Sequence, residues 1–173
     1  MRFLIAIVLL SSISACGQSQ KASDRIALGN ENFESLLPLL KSKSVAVVGN
    51  HTSVLKADIN STPKHLVDTL ISLDVDVIKA FAPEHGFRGE EANGAHIIDG
   101  VDSKTGLPIL SLHGKHRKPS EESLEGVDLI IYDIQDVGAR FYTYLSTLLL
   151  VMEAAAENDI EVIVLDRPNP HGH

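Results

Sequence analysis

The segment FAPEHGFRGEE, residues 81–91, delivers a carboxylate, an imidazole and a guanidinium (Glu84, His85 and Arg88) within five positions of each other, directly after an apolar run. Burying such groups without partners is costly, so a core does not collect them by accident. Pro83 fixes the backbone approach to Glu84, and Gly86 and Gly89 let the chain turn closely around a ligand. Three other apolar runs end in the same way. Asn50, His51 and Thr52 follow SVAVVG; Asp133, Gln135, Asp136 and Arg140 follow GVDLIIY; Asp166, Arg167 and Asn169 follow IEVIVL. Acids, imidazoles and guanidiniums gathered after successive strands mark a site, and one alternative for it is a metal-dependent hydrolase. Such an enzyme would draw on His51, Glu84, His85 and Asp133. Any one of these residues has an equally good structural explanation, because Asp at a strand end also caps a following helix and Arg140 can pair with Asp133 or Asp136. The weight falls on the set.

The elements that must position the set alternate in type. SVAVVGN, VDVIKAFAP, GVDLIIYDIQD and IEVIVLDRPNP read as strands, with a shorter one in LPILSLHG. STPKHLVDTLISL reads as a helix capped at Ser61 or Thr62 with Pro63 in its first turn, and YTYLSTLLLVMEAAAEND as the longest helix. ENFESLLPLLKSK gives a short helix interrupted by Pro38. Strands without polar alternation are buried on both faces, and helices between them make parallel βαβ units. The expectation is an α/β, three-layer Rossmann-like domain with a mainly parallel sheet over residues 31–173. In such a sheet the carboxyl ends of the strands share one edge, where ligands bind. The four polar strand ends therefore converge on one site.

Composition removes several function classes. The 173 residues carry a net charge of −8, and there is no basic stripe for nucleic acid. No G-x-G-x-x-G follows the first strand, and neither a Walker lysine motif nor a G-x-S-x-G elbow is present. No H-E-x-x-H or close His pair marks a metal site, and HGKHR at 113–117 reads as a solvated loop. Neither a cofactor nor a resident metal is expected.

MRFLIAIVLLSSISAC, residues 1–16, has the basic start, apolar stretch and small residues of an export signal. ISAC resembles a bacterial lipobox, which would make Cys16, the one cysteine, the lipidated first residue of the mature protein. Gly17 after it favours the outer membrane, so the expected product is an exported lipoprotein anchored in a membrane and facing the periplasm. Residues 17–30 read as a polar tether.

PEHGFRGEE, DSKTGLPILSLHG, DIQDVGARFYTYLSTL and LDRPNP together resemble the exo-β-N-acetylmuramidases of the NamZ type, long known as a domain of unknown function. The resemblance implies a glycoside hydrolase that releases N-acetylmuramic acid from the non-reducing end of peptidoglycan fragments in cell-wall turnover and recycling. It implies a Rossmann-like domain followed by a smaller second domain, which these residues do not include. It also implies Glu84 as the catalytic acid, with His85 tuning it and Asp133 or Asp136 as the second carboxylate of a glycosidase pair. Arg88, Arg140 or Arg167 would meet the lactyl carboxylate, and Asn50, Tyr142 and Tyr144 would bind the N-acetyl group or hydroxyls. His51 stands where the family has Gln, and Asp166 lines the last strand end. Two rival expectations are a lipid-anchored module that captures muropeptides without cleaving them, and the metal-dependent hydrolase above.

Overall fold

The computed structural model describes residues 26–55, 61–89 and 99–172. The leader and Cys16 lie outside the described residues, and among those described no helix is long and apolar enough to cross a membrane.

Eight strands and three helices follow in chain order: α1 (Phe33–Leu40), β1 (Val45–Gly49), β2 (Val54–Leu55), β3 (Lys64–His65), α2 (Leu66–Ser72), β4 (Val77–Ala82), β5 (Gly100–Val101), β6 (Pro108–Ser111), β7 (Leu129–Asp133), α3 (Tyr144–Glu157) and β8 (Glu161–Val164). Six strands form one sheet in the order β5-β6-β4-β1-β7-β8, and all neighbours are parallel except β5 with β6. Every residue of β1 and β7 is buried, as expected for central strands covered on both faces. Their side chains alternate between two cores. Val45, Val47, Leu129 and Ile131 pack beneath α1 and α2, against Leu36, Leu66 and Leu70. Ala46, Val48, Ile130 and Tyr132 face α3, against Tyr144, Val151 and Ala155. These layers make the fold a three-layer Rossmann-like domain. Burying each large aliphatic side chain contributes about 1.5–3 kcal/mol.

Register decides what stands at the edge. Gly49 pairs with Asp133 and Val48 with Phe81, so β1, β4 and β7 end nearly level. From β1 the chain passes to β4 on one side, and β7 later returns on the other. The resulting crevice lies where the order reverses, at the ends of β1 and β7.

Two local expectations change. The second helix begins at Leu66 rather than near Thr62, because Lys64 and His65 are taken up by antiparallel pairing with Val54 and Leu55. The His65 ring then serves as the cap, accepting from Val67 N at 3.4 Å. The polar stretch 17–30 also enters the fold at its end. Gly29–Glu31 forms a 3₁₀ turn whose Gly29 N–H donates to the Asp166 carbonyl at 2.8 Å, and Asn30 is buried. A Cβ at Gly29 would stand 2.5 Å from the Asp166 nitrogen, so only glycine permits this approach.

Candidate active site

Asn50 is the first residue beyond β1 and is fully buried. Its N–H donates to Ser53 Oγ at 3.0 Å, and its Oδ1 accepts from the Thr52 N–H (2.8 Å) and hydroxyl (2.7 Å). Thr52 Oγ1 in turn accepts from Gln135 N at 3.2 Å, and Ser53 Oγ donates to the Asp133 carbonyl, so the β1 and β7 loops are stitched together. The buried His65 ring holds the Asn50 carbonyl through Nε2 at 3.1 Å. Because Nδ1 accepts from Val67, the proton sits on Nε2, and burial holds this imidazole below its ordinary pKa. With Oδ1 occupied twice, the Asn50 carboxamide is fixed. Its Nδ2 is buried without a well-directed partner, and the side chain meets the Tyr144 hydroxyl. The Tyr144 phenol is raised by burial, lowered by Asn50, and raised again by the fields of Glu84 and Tyr142. Asn50, Glu84 and Tyr142 therefore all act on the Tyr144 phenol, which belongs to the core on the α3 side.

Glu84 stands in a turn closed by Gly86 N–H to the Pro83 carbonyl at 3.1 Å, and it is half-buried. His85 occupies the left-handed region at φ 73°, a conformation that costs a non-glycine residue about 1–3 kcal/mol and persists where the surroundings enforce it. Such strain clusters at functional sites. Beyond it, Gly89 (φ 75°) lies so close to the exposed His51 that a Cβ there would stand 2.6 Å from the His51 Cβ.

The second group lies on the α1 side. Asp133 is fully buried and ion-paired with Arg167 Nη2, while Arg167 also donates to the Thr52 carbonyl at 3.2 Å. Asn30 approaches the same carboxylate. The pairing is close but poorly directed. Neither Asp133 oxygen receives a hydrogen bond of good geometry, and Arg167 Nη1 and Asn30 Oδ1 have no partner. Burial pushes Asp133 up to about 6, against the opposing pull of Arg167 and Asn30. Asp136 differs. It is half-buried, accepts from Gly138 N at 3.2 Å, and lies close enough to raise the Tyr132 phenol, whose pKa burial already lifts.

Residues 45–173 match the family model for the N-terminal part of the exo-β-N-acetylmuramidase NamZ. The chain belongs to the NamZ family. It is 39% identical over 178 residues to the peptidoglycan β-N-acetylmuramidase NamZ of Bacillus subtilis, covering 98% of this chain and 42% of that protein. Two crystal structures of DUF1343 family proteins from Bacteroides fragilis superpose with TM-scores of 0.70 and 0.69, at 44% and 42% identity. They cover 84% and 83% of this chain, and 36% and 35% of theirs. The chain thus spans well under half the length of these relatives.

The NamZ match opens at the first residue of β1 and takes in every residue of the α3-side group. Within that frame the expected site residues separate. Asn50 and Glu84 follow adjacent strand ends, Asn50, Glu84 and Tyr142 influence the Tyr144 phenol, and Asp136 influences the Tyr132 phenol. Asp133 and Arg167 form a buried pair. Arg88 is a correction: its guanidinium grips Asp102 through two bonds of 2.6 Å and Asp68 through bonds of 2.9 and 3.4 Å, so it anchors loops rather than facing a ligand. Asp102 is held down at about 2, chiefly by that bond, and Asp68 is lowered by Arg88 and Lys104 despite desolvation. Asp166 is exposed, its carboxylate accepts from Arg167 N, and its carbonyl holds Gly29. His51 packs on Gly89, and His85 shapes the turn. Among the described residues no three His, Cys, Asp or Glu side chains converge as metal ligands. Sequence reasoning missed Asn30, His65 and Ser53. Only Ser53, three positions after the buried Asn50, carried a signal.

Proposed function

We propose that this chain is the Rossmann-like part of an exo-β-N-acetylmuramidase, with Glu84 as the general acid. The observation that carries the reading is that Glu84 and Asn50 follow the nearly level ends of the adjacent parallel strands β4 and β1, in a chain of the NamZ family. A glycosidase needs one carboxyl to protonate the leaving oxygen and a second carboxylate as base or nucleophile. Asp136 suits the second role better than Asp133, because Asp133 is fully buried and already paired with Arg167. Tyr142, the exposed member of this group, offers a hydroxyl to the substrate's N-acetyl group or hydroxyls, and the buried Tyr144 ring packs beside it. The substrate class is peptidoglycan fragments ending in N-acetylmuramic acid, and the setting is cell-wall turnover. The leader and ISAC support export and lipidation at Cys16, with the protein held at the outer membrane facing the periplasm.

Incubation with the disaccharide of N-acetylmuramic acid β-linked to N-acetylglucosamine is expected to release both monosaccharides, in the presence or absence of a chelator. An intact disaccharide that nevertheless binds would instead select the second reading, capture without cleavage. That reading draws on the burial of Asp133, which leaves one fewer accessible carboxylate at the crevice.

A further inference from the structure

The loops after β4, β7 and β8 each carry one arginine to the sheet edge: Arg88, Arg140 and Arg167. Two of the three are already engaged. Arg88 is saturated by Asp68 and Asp102, and Arg167 is buried against Asp133. Arg140 is exposed and makes no ion pair among the described residues. The cations of the loop after β6 lie two strands further along the edge from β1.

Arg140 is also built into a presenting structure. Tyr142 N–H donates to the Ala139 carbonyl at 3.0 Å, which makes Arg140 and Phe141 the two central residues of a turn. Phe141 is 84% exposed. Its ring stands 5.5 Å from Tyr142, and Tyr142 stands 6.1 Å from Tyr144. The rings of Phe141, Tyr142 and Tyr144 thus run in series from the Arg140 turn to the first residue of α3. A free guanidinium is suited to gripping a carboxylate through two parallel bonds, and an adjacent apolar ring accommodates a methyl-bearing arm. N-acetylmuramic acid differs from N-acetylglucosamine by just such an arm, a lactyl ether carrying a carboxylate.

We infer that Arg140, presented beside Phe141 in the exposed turn between β7 and α3, is the specificity-determining residue that recognises the lactyl carboxylate. The inference rests on the muramidase reading and names which of the three arginines serves it.

Titration of the protein by NMR with N-acetylmuramic acid and with its methyl ester isolates the carboxylate. Wild type is expected to bind the free acid about tenfold more tightly, the size of one charge-assisted contact. Arg140→Gln is expected to bind both equally, and Arg140→Lys to keep part of the preference, since it retains charge without the fork. Because the side chain is exposed, the variants' spectra should stay native apart from local shifts. Full preference in Arg140→Gln overturns the assignment. So does equal binding of acid and ester by wild type, although the sugar site would then stand. Binding of neither sugar by wild type would overturn the muramidase reading along with it.

Discussion

The Tyr132 hydroxyl donates to the Tyr144 carbonyl at 2.7 Å, joining the penultimate residue of β7 to the first residue of α3. That bond sets the height at which Tyr144 meets Asn50, and so couples the central strand to the candidate site. Tyr132→Phe keeps the ring and removes the bond. It is expected to lower stability by about 1–3 kcal/mol, read from the denaturant midpoint at unchanged m-value. An unchanged midpoint would show that α3 is held by packing alone.

Arg88 ties Asp102, after β5, to Asp68 on α2. Arg88→Met leaves both buried carboxylates without their main partner and is expected to cost about 3–5 kcal/mol. The pH dependence gives the sign. Both acids are depressed in the folded state, so their contribution is complete above about pH 4 and is lost as pH falls towards about 2. His65 is depressed too and removes stability as pH falls below about 6.5, whereas Asp133, raised to about 6 by burial, acts in the opposite sense between about pH 6 and 4. Thermal melts from pH 7 to 2 are expected to show a steep acid limb in wild type and a flatter one below pH 4 in Arg88→Met. Parallel limbs would remove the network from the account.

Lipidation at Cys16 is expected to make wild type incorporate a fatty-acid probe and partition with membranes. Cys16→Ser is expected to do neither. Equal labelling of both proteins would contradict the lipobox reading.

How much of this was readable in the chain depends on how local the cause is. β1 and β7 were legible because strands buried on both faces carry unbroken apolar runs, and Glu84 stood out because its mixture of neighbours fits neither core nor ordinary loop. Arg88 looked like a ligand residue because its partners lie 14 and 20 positions away and only the fold brings them in. Asn30 looked like part of a tether for the same reason: what buries it, Val54 and the Asp133–Arg167 pair, comes from the other end of three separate loops. The difference between Asp133 and Asp136 is a matter of sidedness. Register puts Asp133 on the α1 face, whereas Asp136 lies past the end of β7 and its carboxylate accepts from Gly138 N.

The central claim is that Glu84 protonates the leaving oxygen, and Glu84→Gln tests it most directly. The change is nearly isosteric, so folding and sugar binding are expected to persist. The rate on N-acetylmuramyl-β-1,4-N-acetylglucosamine is expected to fall roughly 10²–10⁴-fold, with a smaller loss on aryl glycosides whose leaving groups need little protonation. Hydrolysis of the disaccharide by Glu84→Gln at the wild-type rate would contradict the account.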